Sequence, residues 1–581
     1  MTAPSSPSAL DRRTFMGSLA GFGLAGTAFA DALWTRAQQA GKITPAMIED
    51  AGEIAGLEFD PDEREMMVDG LNRNLRAYSR LRSIPVPNSV GPAVFFDPLL
   101  PGRELPTEDR EIRYTRPTGI TRPADLDALA FAPLTDLAEL IRTRRVSSIE
   151  LTTMYLDRLK RHGPRLECTV TLTEDLAMRQ ARRADADLAR GLYRGPLHGI
   201  PWGAKDLLAE DEYPTTWGAA PYREQVVTED ATVTRRLEDA GAVLIAKLTL
   251  GALAMGDVWF GGKTRNPWNL EQGSSGSSAG PAAATVAGLV GFSIGSETLG
   301  SIVSPSTRCG ASGLRPTFGR VSRSGAMALS WSMDKLGPLC RYAEDCALVL
   351  DAIHGADGRD PTARTVPFNW DAGRPLDELR LGYFKAGFES PLPDIQNAER
   401  RRRFEEAREF DLAALKQMRD LGVDLIPVEP PTNDEVPVDA LRIILSAEAA
   451  AAFDDLTRSG RDAELVRQDR GAWPNAFRTA RMIPAVEYLQ ANRVRTMVMG
   501  LMEARLEGID AFITPSFGGN ILLLTNLTGH PTVVVPSGFR PNGTPVSISF
   551  IGKLYGDAEA LTMARAFQAA TDYAGRRPPG F

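Results

Sequence analysis

The serines between Gly273 and Arg320 are the residues of this chain best suited to chemistry. Ser277 and Ser278 sit in one glycine-serine loop (residues 273–280) and Ser301 ends a second (residues 295–301), while the segment between, Ala284 to Ile294, is mostly apolar. A flexible linker carries no such core, so the stretch reads as folded. An Ala-rich helix followed by a short apolar strand, near Leu289 to Ile294, returns Ser277 and Ser301 to one place. Two familiar uses of such loops do not fit. Gly276-Ser277-Ser278-Ala279-Gly280 matches the G-x-S-x-G nucleophile elbow, but that elbow follows a buried strand, and Arg265 to Ser274 is polar and turn-like. Gly295 to Ser301 begins like a phosphate loop, yet Ser301 stands where its lysine must be, and no magnesium-binding hydroxyl follows in place. The reading that remains is a catalytic centre built on serine hydroxyls.

Three segments carry a family resemblance in order: Gly199-Ile-Pro-Trp-Gly-Ala-Lys205-Asp206, the two loops with Ser277 and Ser301 24 residues apart, and Gly313-Leu-Arg-Pro-Thr-Phe-Gly-Arg-Val-Ser322. Together they resemble the amidase signature family, and the chain is similar to the amidase-type subunit of tRNA-dependent amidotransferases. The resemblance implies an α/β fold, an α/β/α sandwich around a mixed, mostly parallel sheet, and hydrolysis of a carboxamide. Such a reaction needs a nucleophile, a base, an acid for the leaving amine and donors for the oxyanion. By resemblance Ser301 is the nucleophile, Ser277 the proton relay and Lys205 the base in its neutral form. The backbone N–H groups of Thr298, Leu299, Gly300 and Ser301 form the oxyanion hole, and Ser278 supports the site through hydrogen bonds. No cofactor or metal is implied.

The family's T-G-G-S is here Thr298-Leu299-Gly300-Ser301, and a leucine Cβ restricts the backbone where glycine allows positive φ. The usual Asp before that loop is Glu297, and the usual Arg after Ser-Ile is Val303. Lys205 must titrate well below the ~10.4 of a free lysine, through burial beside uncharged hydroxyls. Asp206 is expected to point the other way, as successive side chains do in an extended loop.

The elements around these segments follow from periodicity and caps. Thr44-Pro45 and Pro61-Asp62-Glu63 start two helices of an N-terminal arm, the second with Met66, Met67, Leu71 and Leu75 at helical spacing. Pro85 to Pro123 is a Pro-rich connector laid over the surface. Amphipathic helices follow around Leu137 to Ile141 and Ile149 to Leu159, with Ser147-Ser148 at the cap, and a charged helix at Ala177 to Arg190. Strands are expected at Ala242 to Ala246, Leu379 to Tyr383, Val423 to Val428 and Ala511 to Pro515, and helices at Cys346 to Ile353 and Arg400 to Leu421. Asp434 to Arg481 is helical and shapes substrate choice. Asn526 to Phe539 gives sheet strands and a loop returning to the site. Strands alternating with helices imply an α/β sandwich. The expected division is 1–30 leader, 31–123 arm and connector, and 124–581 catalytic domain.

Composition narrows the partners. With 43% hydrophobic residues the chain buries a large core, and a net charge of −8 argues against nucleic acid and anionic membrane. A small amide is the expected partner, and a homodimer stays open. Arg12-Arg13-Thr14-Phe15, an apolar run from Met16 to Ala30 and the small-x-small Ala28-Phe29-Ala30 resemble a twin-arginine leader, which places the mature chain in the periplasm or outside the cell. The run is shorter than the ~20 residues that span a bilayer, so no stable membrane anchor is expected. Cys168, Cys309, Cys340 and Cys346 show no C-x-x-C spacing and the four histidines no H-E-x-x-H, so buried thiols are expected and a zinc site is not. His198 and His530 are expected to be structural, with a place at the pocket as the alternative. The sequence reading is an exported amidase with a Ser-Ser-Lys triad. The alternatives are an inactive homologue and a glutaminase-type amidotransferase subunit.

Overall fold

The computed structural model describes residues 42–391 and 396–581 and divides them at Pro87/Asn88 into two compact units. The proposed leader lies outside the described residues. In the first unit α1 (Pro45–Ala55) starts where Thr44 Oγ1 accepts the Met47 N–H, and α2 (Pro61–Leu81) starts at a capping box between Asp60 and Glu63. Both starts are those expected from the Pro positions.

The unit boundary differs from the expected one at 123/124. The Pro-rich connector runs along the larger unit and is fastened to it: Asn88 to Ala328, Arg110 to Asn369, Arg113 to Trp370 and Thr115 to Glu344. Proline-rich chain cannot make its own ladder, so it borrows partners from the surface it crosses.

The larger unit is built on one sheet. Its strands are β1 (Thr169–Leu172), β2 (Pro201–Lys205), β3 (Val243–Leu248), β4 (Phe292–Glu297), β5 (Ser312–Arg315), β6 (Lys335–Cys340), β7 (Leu381–Phe384), β8 (Ile426–Val428), β9 (Ala511–Pro515), β10 (Thr532–Phe539) and β11 (Pro545–Gly552). Their order across the sheet is β1-β3-β2-β4-β6-β5-β10-β11-β9-β7-β8. The sheet is mixed, as expected, but it is not mostly parallel. Parallel pairing joins only β2 to β3 and β4, and β7 to β8 and β9; the other neighbours run antiparallel. Parallel neighbours need a crossover, and the long helical connections supply it at those two places.

Helices α3 (Leu134–Arg142), α4 (Ser148–Leu166), α5 (Glu174–Ala189), α6 (Ala279–Val286), α7 (Val303–Cys309), α8 (Ala343–Ile353), α9 (Ala398–Asp420), α10 (Ile521–Thr528) and α11 (Asp557–Ala569) surround the sheet. Helix α4 begins at the expected cap, with Ser147 and Glu150 exchanging side chain-to-backbone bonds. The two central strands β2 and β4 are buried along their whole length, and so are all eight residues of α6. Small residues help make that possible, since Ala279, Gly280 and Ala282 to Ala284 leave little side chain to accommodate in a close-packed interior.

Two expected boundaries move. The strand placed near Leu289 to Ile294 is β4, Phe292 to Glu297, because α6 ends in a Gly288 turn (φ 64) with Leu289 N–H bonded back to Ala284. Asn526 belongs to helix α10 rather than to a strand.

Candidate active site

Lys205 is the last residue of β2, with β3 on one side and β4 on the other. Its side chain is 0% exposed. The amine lies 2.8 Å from Ser277 Oγ, 3.1 Å from Ser278 Oγ, 2.9 Å from Ser296 Oγ and 3.3 Å from the Ser296 carbonyl. All four neighbours are uncharged oxygens. Burial therefore pushes the Lys205 amine well below the usual lysine range, and the carboxylates of Asp334 and Glu297 only partly oppose it. A neutral amine has two N–H donors and one lone pair. Ser278 donates its hydroxyl to the Ser296 carbonyl at 3.1 Å, so the lone pair is left for the hydroxyl proton of Ser277 or Ser296.

Asp206 faces away, as expected. It pairs with buried Lys247 at 3.0 Å and accepts the Thr216 N–H at 3.0 Å.

The serine loop is held tightly against its neighbours. The Gly276–Ser277 peptide is cis, and a Cβ on Gly276 would lie 1.9 Å from the Gly256 carbonyl oxygen. A Cβ on Gly295 would lie 2.6 Å from Ser278 Oγ, so glycine at 295 leaves the space that Ser278 fills. Ser277 and Ser278 are 1% and 0% exposed; Ser301 is 8% exposed and is the most accessible of the three. Ser301 joins the group through its backbone, its carbonyl accepting the Ser278 N–H at 3.1 Å.

The turn that carries Ser301 connects β4 to α7 and is fixed from both sides. Thr298 Oγ1 donates to Asp334 at 2.5 Å. Gly300 has φ 84, its carbonyl accepts the Ser304 N–H at 2.7 Å, and a Cβ there would meet Ser304 Oγ at 3.0 Å. Leu299 lies outside the left-handed region, so its Cβ is compatible with the turn, and its side chain packs on the apolar cluster that includes Leu524 and Leu527.

Sequence reasoning missed the groups behind this turn. Strand alternation turns Ser296 to Lys205 and Glu297 to the opposite face. There Glu297 accepts the N–H groups of Ile302 and Val303 at 2.8 and 3.0 Å, Arg315 at 2.7 Å and Asn526 at 2.8 Å. Asn526 in turn accepts from Lys335 at 2.8 Å. Burial acts to raise the Glu297 carboxyl, but the Arg315 charge and these hydrogen bonds outweigh it and hold it at about 2. The signal for Ser296 was present once β4 is extended to Glu297; Asn526 and Lys335, far away in sequence, left none.

These elements match known proteins as a set. A family profile described as Amidase covers residues 150–521. The chain belongs to the amidase family. It is 34% identical over 490 residues to a glutamyl-tRNA(Gln) amidotransferase subunit of Moorella thermoacetica, covering 76% of this chain and 97% of that one. The same amidotransferase subunit from Methylococcus capsulatus is 33% identical over 495 residues, 77% of this chain and 98% of that one. Among solved structures, the native peptide amidase from Stenotrophomonas maltophilia shares 29% identity at a TM-score of 0.66, over 78% of this chain and 99% of that one. This amidase-family chain is thus an enzyme of amide C–N hydrolysis.

The remaining histidine candidates are bonded within the fold and not to Lys205 or the serines. His198 Nε2 lies 2.9 Å from the Ala184 carbonyl, and His530 Nδ1 lies 2.8 Å from Thr528 Oγ1 while its own carbonyl accepts from Arg315. The four cysteines are buried free thiols, as expected. Among the described residues no helix is long and apolar enough to cross a membrane.

Proposed function

We propose that this chain is a self-sufficient amidase that hydrolyses a linear carboxamide through an acyl-enzyme on Ser301. The observation that carries the reading is Lys205, buried among uncharged oxygens with Ser277 Oγ at 2.8 Å. Ser301 Oγ attacks the substrate carbonyl and passes its proton to Ser277, whose own proton moves to the Lys205 amine. The oxyanion takes hydrogen bonds from the N–H groups of Thr298, Leu299, Gly300 and Ser301. The tetrahedral intermediate collapses with cleavage of the C–N bond; Ser277 returns a proton to the leaving amine and Lys205 reprotonates Ser277. Water then enters by the reverse relay and frees the acid and Ser301.

The names of the relatives favour one other reading, a glutaminase-type subunit that supplies ammonia to a partner. Assay of the purified chain alone on glutamine, primary aliphatic amides and aryl amides separates them. Turnover of amides other than glutamine without a partner is the expected result. Turnover of glutamine alone supports the subunit reading, and none at all supports an inactive homologue.

Export belongs to the same proposal, on the strength of Arg12-Arg13 and Ala28-Phe29-Ala30. Arg12→Lys with Arg13→Lys is expected to leave precursor in the cytoplasm on fractionation; an unchanged periplasmic fraction refutes it.

A further inference from the structure

The connection that leaves β2 after Lys205 gathers acidic side chains that the reaction does not use. One carboxylate oxygen from each of Glu210, Asp211 and Glu212 lies within 4.8 Å of the other two. Asp211 and Glu212 face water, whereas Glu210 is only 4% exposed. Glu210 Oε2 is buried without a hydrogen-bond partner. A buried carboxylate oxygen with no donor demands a proton or a cation. Asp230 adds a fourth carboxylate beside the group, accepting the Asp211 N–H at 3.0 Å. Of the neighbouring cations among the described residues, Lys247 is committed to Asp206 at 3.0 Å, while Arg179 pairs with Glu212 itself at 2.5 Å and leaves Glu210 and Asp211 without a cationic partner.

We propose that Glu210, Asp211 and Glu212 form a calcium site on the connection between β2 and β3. The donors are all oxygen, which selects a hard cation. Calcium accepts irregular coordination completed by water, while magnesium demands a near-ideal octahedron, and three successive residues of unequal exposure offer the former. The site would lie near the start of that connection, inside the turn that Asp206 closes through its bond to Thr216.

The test is calorimetric titration of chelator-stripped full chain with calcium chloride, with magnesium chloride as the comparison and thermal melts alongside. One saturable calcium site is expected, in the ~10⁻⁴–10⁻³ M range of extracellular modules, together with a melting temperature that rises with calcium. Glu210→Gln and Asp211→Asn are each expected to weaken calcium by about tenfold or more, since each removes one ligand charge. In chelator, Glu210→Gln melts at or above wild type because the orphaned charge is gone; in millimolar calcium the order reverses. Asp211 is exposed, so its variant keeps the test open if Glu210→Gln fails to fold. No saturable binding at millimolar calcium, or binding unchanged by both substitutions, overturns the proposal.

Discussion

Lys205 shows how a single residue sets the conditions of the site. Its amine is surrounded by hydroxyls and a carbonyl, and the two carboxylates that would restore its charge, those of Asp334 and Glu297, are turned to other partners. Its depressed pKa means that the neutral, proton-accepting form gains as pH rises through the folded value. kcat/KM is therefore expected to climb with pH through one ionisation lying well below that of a free lysine. Lys205→Ala is expected to lose the rate by at least ~10²-fold and that ionisation with it. A Lys205→Ala enzyme with wild-type rate and pH profile would show that another base acts. The lysine itself was legible through the family resemblance of Gly-Ile-Pro-Trp-Gly-Ala-Lys-Asp, and the outward turn of Asp206 through the alternation of side chains along an extended segment. Its partnership with Ser296 was not, because the strand boundary had to be known first.

At the scale of the element, the turn from β4 into α7 is held by a carboxylate rather than by packing alone. Glu297 caps the N–H groups of Ile302 and Val303 while buried against Arg315. Removing one member of a buried pair leaves the other charge uncompensated and costs about 3–5 kcal/mol. Glu297→Gln is expected to lower stability by that order in chemical denaturation, and to lower kcat because Ser301 rides on the same turn. The sign with pH follows from the lowered carboxyl: its stabilisation is present above the unfolded value of 4.5 and is lost as pH falls through about 2. Wild type therefore carries a loss of stability between those values that the glutamine variant lacks; parallel acid-stability curves would contradict this. Helices and caps at this scale were readable from Thr44-Pro45, Pro61-Asp62-Glu63 and Ser147, whose signals are local. Strand order was not: β6 lies between β4 and β5, and β10 beside β5, pairings that skip a neighbouring strand or, as in Arg315 with Thr532, join residues more than two hundred positions apart. The excess of antiparallel neighbours was hidden for the same reason.

At the scale of the whole molecule, the relatives match about three quarters of this chain and nearly all of their own length. The chain therefore carries sequence beyond the shared amidase body, and the arm with α1 and α2 forms a compact unit of its own. The acidic balance and the small-amide reading agree, since neither nucleic acid nor an anionic surface attracts a chain of net charge −8. What the molecule as a whole is proposed to do comes down to which hydroxyl carries the acyl group. Mass spectrometry of the enzyme quenched during turnover, or after treatment with a fluorophosphonate, reads this directly. The adduct is expected on the peptide containing Ser301 and is expected to vanish in Ser301→Ala, with the fold intact by circular dichroism. An adduct on Ser277 or Ser278, or one that persists in Ser301→Ala, would contradict the account.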